Sequence, residues 1–246
     1  MKMRLTLLAA MGCLMLATSC NKPEETTQYA TNKAGERLVE KITSFYDDGE
    51  TEVIRFEYNS DGTLKKVYEG EGVLSFERNN DTLQISEVWG DDIFNINCYL
   101  NKNGWIVLYR GWEDAHNYHL TYDAHGYLHD VFEGDELLRT FEWKEGNIVN
   151  EEVTYIPTQS NPSNIDWCAF FQTWRRGELD ENLIGLFPFS HFFGFSEGYL
   201  GNKCKGLPST MNNGRTNYSY DFDHDGFVST IYVNGKPDYR ITYLKK

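Results

Sequence analysis

The acidic run Asp221-Phe222-Asp223-His224-Asp225-Gly226 opens like a calcium loop, with carboxylates at alternate positions ahead of a glycine. A complete loop needs a bidentate glutamate at its twelfth position, and Tyr232 stands there. Asn59-Ser60-Asp61-Gly62 occupies a matching place with fewer acids. A hairpin turn therefore explains Asp221, Asp223 and Asp225, with calcium as the alternative, and no metal is assigned. His116, His119, His125 and His129 surround a second such turn, with Asp123 and Asp130 beside them. Three of these on one face would suit zinc, but strand alternation and the turn scatter them. There is no Gly-rich phosphate loop, no Gly-x-Ser-x-Gly elbow and no zinc-protease helix motif. Glu151-Glu152 are neighbours in a strand-like run, so they point to opposite faces and cannot share a substrate. No catalytic residue and no cofactor is read from the chain. If a ligand is bound, Trp89, Trp105, Tyr109 and Trp112 offer aromatic faces for stacking on a glycan or peptide. The plainer reading places them in the core.

These residues are positioned by a repeat. An aromatic or aliphatic anchor is followed four residues later by glycine: Tyr58 with Gly62, Leu100 with Gly104, Tyr122 with Gly126, Phe222 with Gly226. Trp143 with Gly146 is one residue shorter, and Arg78 with Thr82 is a degenerate copy. Anchors 58, 78, 100, 122 and 143 step by 20, 22, 22 and 21 residues, one two-strand unit per step. Glycine is needed because a tight hairpin requires positive φ. Ile54, Phe56 and Tyr58 share one face, opposite Val53, Arg55 and Glu57, and Leu137, Arg139, Phe141 and Trp143 read as a second such face. No helical crossover separates these runs, so the strands are antiparallel hairpins. A meander of this length must curl, and it either closes or covers its apolar face.

The repeat breaks at Pro157, and Pro157 to Ser163 reads as a loop. Trp167, Phe170, Phe171 and Trp174 then fall at helical spacing, and Pro188 to Phe195 is rich in aromatics. So much apolar surface is expected to be buried against the sheet as a plug; an aromatic ligand-binding or membrane-touching surface is the alternative. The repeat resumes at Thr216 and ends with the strand Tyr239 to Leu244.

At 246 residues the chain has room for one large β domain, and 15% of it is aromatic. Its formal net charge of -14 argues against nucleic acid or an anionic membrane surface as partner. Lys2 and Arg4 precede a short apolar run, Leu5 to Ala17, which ends at Leu16-Ala17-Thr18-Ser19-Cys20. This reads as a signal peptide, too short to span a bilayer comfortably. Small residues just before Cys20 resemble the lipobox of bacterial lipoproteins, which implies cleavage at that cysteine and a diacylglycerol on its thiol. Ala17 stands where the usual leucine would, with Leu16 one place earlier; ordinary cleavage near Ser19 is the competing reading. Cys13 lies within the apolar run and is the poorer candidate. Asn21-Lys22-Pro23-Glu24-Glu25 resembles a surface-export signal, and residues 21–36 read as linker. The expected organisation is signal peptide 1–19, lipidated start and linker 20–36, and one β domain 37–246 with an insert at 157–213. Of the remaining cysteines, Cys98 reads as a buried hydrophobe, and Cys168 with Cys204 is one of three possible disulfides in an oxidising envelope.

The signal with Cys20, the hairpin units, Ile165-Asp166-Trp167 and Gly198-Tyr199-Leu200 together resemble a family of bacterial outer-membrane-associated lipoproteins of unknown function with a porin-like fold. Tyr122-Asp123 with Gly126 is also similar to the YD repeats of Rhs-type surface proteins. The resemblance implies a strongly curved antiparallel sheet or partial barrel at the cell envelope, on either side of the outer membrane. It implies no reaction. The expected role is a monomeric, non-catalytic binding or scaffolding module tethered to the membrane by lipid, with an envelope hydrolase of glycans or peptides as the alternative. A pore is a third possibility, but it needs an outward apolar belt about 25 Å tall, and the charges here fall on both sheet faces.

Overall fold

The computed structural model of the chain describes residues 28, 30, 31, 35–110, 117–149, 153–167, 199–211 and 213–246. Among them lie β1 Val39–Phe45, β2 Thr51–Tyr58, β3 Leu64–Glu69, β4 Gly72–Asn79, β5 Thr82–Trp89, β6 Asp92–Leu100, β7 Ile106–Arg110, β8 Asn117–Tyr122 and β9 Leu128–Glu133. They are followed by β10 Glu136–Thr140, β11 Trp143–Lys144, β12 Asn147–Ile148, β13 Thr154–Ser160, β14 Gly206–Met211, β15 Thr216–Phe222, β16 Val228–Val233 and β17 Lys236–Tyr243.

Fifteen of these strands form one antiparallel sheet, ordered β10 back to β1 and then β17 back to β13. The two ends of the meander meet in mid-sheet, where Ile42 pairs with Ile54 on one side and Ile241 on the other. The sheet is not closed: its edges are β10 and β13. The β11–β12 ribbon lies between those edges. Phe141 donates its N–H to His129 at 2.7 Å on one side, and Lys205 donates to the Gly146 carbonyl at 3.0 Å on the other.

Alternation decides which face is buried. Ile54 and Phe56 are buried while Arg55 and Glu57 are exposed, as the period-2 pattern requires. The same inward rows supply Val67, Leu74, Ile85 and Ile96, each at most 1% exposed. Each such side chain contributes roughly 1.5–3 kcal/mol on burial. Ile165 and Trp167, both at 0% exposure, and Tyr199 join the same core from outside the meander. The start of the expected plug is thus inside; Phe170, Phe171 and Trp174 lie outside the described residues.

Two local expectations are corrected. Pro157 sits within β13 rather than in a loop. This strand is a sheet edge with an irregular register, where the missing N–H of proline breaks no ladder. Leu137, Arg139, Phe141 and Trp143 do not form one face. The register shifts between Leu137 and Arg139, the strand stops at Thr140, and Trp143 belongs to the separate ribbon. The bulge leaves Leu137 52% exposed.

The repeat has a hydrogen-bonding cause. In the turns after β2, β6, β8 and β15 the glycine N–H donates to the carbonyl of Asn59, Asn101, Asp123 or Asp223, at 2.9 to 3.1 Å. A register shift precedes each turn and sets the anchor opposite the residue six places on: Tyr58 with Leu64, Leu100 with Ile106, Tyr122 with Leu128, Phe222 with Val228. An aromatic one unit later then donates to a carbonyl beside that shift. Tyr122 Oη reaches Ile106 O at 2.6 Å, Trp143 Nε1 reaches Leu128 O at 2.7 Å, and Tyr243 Oη reaches Val228 O at 2.8 Å. The step of some twenty residues is the spacing that lets these three aromatics satisfy the preceding unit's bulge.

Candidate functional site

These four turns share one rim of the curved sheet, and the chain crosses that rim twice more. Residues 199–206 run over the turns: Tyr199 O accepts from Ile106 N–H at 2.8 Å, and Asn202 N–H and Nδ2 donate to the carbonyls of Gly126 and His125 at 2.8 and 2.7 Å. Lys203 pairs with Glu36 at 2.5 Å and bonds to Ser163 O. We call this the stitched rim.

Arg37 is the second crossing. It is 8% exposed, and Nη1 lies 2.9 Å from Asp223 Oδ2 while Nη2 bonds to Asp225. The guanidinium carbon sits 3.9 Å from the Phe227 ring centroid. Asp223 Oδ1 accepts the N–H groups of Asp225 and Phe227 at 3.0 and 2.9 Å. Ligand atoms of Asp223, His224 and Asp225 lie within 4.8 Å of one another, close enough for a cation. Arg37 already supplies that positive charge, so a calcium ion would have to displace it. Asp221 is not brought to this group; it accepts from Tyr232 Oη at 2.6 Å.

The histidines stay apart. His119 is an exposed residue of β8 and His125 is at a turn tip. His129 Nδ1 lies 2.9 Å from Asp130 Oδ2. Burial pushes the Asp130 carboxyl up, but hydrogen bonds from Thr140, His129 and Thr121 outweigh it and hold the group below the usual carboxylate range. His116 and the pair Glu151-Glu152 lie outside the described residues.

The aromatic candidates divide. Tyr109 is 2% exposed and stacks on Tyr118 at 4.6 Å between centroids, so it is a core residue and offers no ligand surface. Burial raises its phenol far above the ordinary range. Trp105 is half-buried on the stitched rim, 5.0 Å from the Tyr122 ring and under Gly126. Trp89 is on the opposite rim at 42% exposure, with Nε1 donating to Glu87 at 2.5 Å. Trp112 lies outside the described residues. Cys98 is 1% exposed, as its strand position predicts, and burial pushes its thiol up to about 12. Cys204 is buried, with Sγ 3.6 Å from Tyr155 Oη, while Cys168 and Cys20 lie outside the described residues.

The outward face of the sheet is mostly polar, with one apolar row of Val73, Val88 and Ile93 across β4, β5 and β6. Lys41, Arg55 and Tyr68 align across β1, β2 and β3, with Glu57 and Lys66 paired in the next row. Asp221, Thr230 and Arg240 do the same across β15, β16 and β17. Tyr68 and Tyr232 donate to Glu57 and Asp221 there. No helix among the described residues is long and apolar enough to cross a membrane.

No protein-family model matches the chain, and no curated protein matches it. Among solved structures it is similar to a porin-like protein from Bacteroides uniformis, at 14% identity and a TM-score of 0.56, over 86% of this chain and 99% of that one. A porin-like protein from Bacteroides vulgatus, also at 14% identity, covers 84% and 97% at a TM-score of 0.26, too low to carry weight. The likeness is one of fold, in line with the porin-like architecture expected from the sequence.

The sequence reading missed Arg37, placed at the edge of a linker, and the stitching by residues 199–206. Gly201 was the available signal. A Cβ there would come 2.4 Å from Gly126 O, so the residue type reports a close backbone approach.

Proposed function

We propose that the protein is a lipid-anchored component of the cell envelope, tethered through Cys20, and that it serves as a non-catalytic binding or scaffolding module. The observation that carries this reading is the polarity of the sheet. A membrane barrel turns apolar residues to lipid and polar ones to its lumen. Here the inward rows of Ile54, Val67, Leu74 and Ile96 form a packed core, and the outward rows of Lys41, Arg55, Glu57 and Lys66 face water. Charged outward rows of this kind do not suit a bilayer, and a lipid at Cys20 supplies the attachment that the leader implies. The porin-like neighbour supports an envelope setting by analogy of fold alone. Metabolic labelling with an alkyne fatty acid tests the reading. Label on the wild type that is absent from Cys20→Ser, with release of that variant from the membrane fraction, is the expected result. Membrane retention of the Cys20→Ser variant would overturn it. The hydrolase alternative rests on His129 and Asp130; a conserved rate on glycan or peptide substrates that vanishes in His129→Ala would favour it.

A further inference from the structure

The outward rows are mostly charged, but across β4, β5 and β6 they change character. Ser75, Ser86 and Asn95 align in one row, Glu77, Gln84 and Asn97 in the next, and Asn79, Thr82 and Tyr99 in the third. The pairing of Asn97 with Arg110 extends the middle row to four strands, about 14 Å across at ordinary strand spacing. The last two rows and Arg78 line a depression of ≈ 330 Å³. Tyr99 shows its ring to solvent at 38% exposure. Gln84 Nε2 and Ser86 Oγ both donate to Asn95 Oδ1, at 3.4 and 2.6 Å, which orients the floor. Among the described residues the Glu77 carboxylate, the Asn97 amide and the Tyr99 hydroxyl bond to no other protein group.

We propose that this depression binds a neutral oligosaccharide, with a pyranose ring stacked on Tyr99 and its vicinal hydroxyls held by Glu77, Gln84 and Asn97. The proposal rests on the reading of the protein as a binding module and gives that module a site. A planar amide or carboxylate presents two polar atoms in one plane, the spacing at which adjacent ring hydroxyls can be taken together. An aromatic ring supplies the apolar face that the C–H side of a sugar requires. A peptide fits less well. These three strands are paired on both sides, so they offer no free backbone for strand addition, and the depression has no apolar pocket for a side chain. Within the depression Glu77 and Arg78 offset each other, so an anionic glycan is opposed by the net charge of -14 rather than by the lining.

The test is titration of the full-length protein in detergent with malto-, cello-, laminari-, manno- and xylohexaose, with polygalacturonate and a casein digest beside them. The expected result is binding of at least one neutral hexaose, weakened about tenfold or more by Tyr99→Ala and by Asn97→Ala. Tyr99→Phe, which keeps the ring, retains most of the affinity, and Trp89→Ala leaves it unchanged. Silence toward all five hexaoses, binding that survives Tyr99→Ala, or preference for the acidic polymer or the peptides would each overturn the site. The fatty-acid label separates the two readings. Sugar binding by a chain that takes no label at Cys20 would leave the site standing and remove the anchor, and a labelled chain that binds no sugar does the reverse.

Discussion

The two rims of the sheet use the same residue for different reasons. On the stitched rim Gly126 and Gly201 have φ of 85° and 84°, and both are crowded: a Cβ would come 2.6 Å from the Trp105 ring at the first and 2.4 Å from Gly126 O at the second. On the opposite rim Gly90, Gly134 and Gly235 also have positive φ, but a Cβ would meet nothing within 4 Å. At these positions the stitched rim needs glycine for conformation and for space and the opposite rim for conformation alone, although Gly226 on the stitched rim is open and Gly72 on the opposite rim is crowded by the Trp89 ring at 2.7 Å. Charge does not divide them: the open rim carries Asp47-Asp48, Asp91-Asp92 and Asp135-Glu136 with Lys236 paired to Asp47, and the stitched rim carries Asp61, Asp81, Asp123, Asp223 and Asp225 with Arg37, Lys203 and Lys205. The chain enters at the stitched rim, where Leu38 N–H donates to Ala30 O and Ala30 N–H to Leu244 O. The first described residues thus lie at the stitched rim, and the open rim is at the far end of the strands.

Substitutions sharpen the contrast, and the largest effect falls on the stitched rim. Gly201→Ala drives a methyl into a backbone carbonyl that is itself bonded to Asn202, so neither side yields; a loss of about 4 kcal/mol or failure to fold is expected in thermal unfolding. Arg37→Met removes the guanidinium from Asp223 and Asp225 and should cost about 3 kcal/mol, read by urea denaturation. If Arg37→Met were neutral, the clasp would be only a surface ion pair. Raising the pH from 9 to 10 comes next. The Cys98 thiol titrates near 9.0 when unfolded and at about 12 when folded, so its stabilisation is complete below pH 9 and is lost as pH climbs toward about 12. Stability should fall by about 1 kcal/mol over that unit through this group, and Cys98→Ala should remove that part of the slope. Gly134→Ala is of the same small size, about 1 kcal/mol of backbone strain with no clash. Equal losses at Gly134 and Gly201 would erase the distinction between the rims.

What was legible in the sequence was local. The anchor and the glycine four residues on lie within one turn, and their bulge and hydrogen bonds are made by neighbours, so Tyr122 with Gly126 announced its own geometry. The Ile54 and Phe56 face was legible because period 2 holds until a bulge intervenes. Leu137 was misread for that reason: one extra residue flips the pattern, and nothing in Leu137 to Trp143 marks where it falls. Pro157 was misread because proline is hostile only to a central strand, and edge status is decided by β14, some fifty residues away. Non-local contacts left little trace beyond Gly201. Arg37 meets Asp223 across 186 residues, and no spacing rule connects them. The outward depression was missed because Gln84 and Asn97 are adjacent only through the pairing of β5 with β6.

The central claim is that this sheet keeps its apolar side inside and its polar side in water. Nitroxide labels at Ser75→Cys, Asn97→Cys and Ser219→Cys, with the full-length protein reconstituted with liposomes, measure it directly through collision with a water-soluble nickel chelate and with oxygen. The account predicts free access to the chelate at all three positions. High oxygen access with the chelate excluded would mean that these strands face lipid, and the claim would be false.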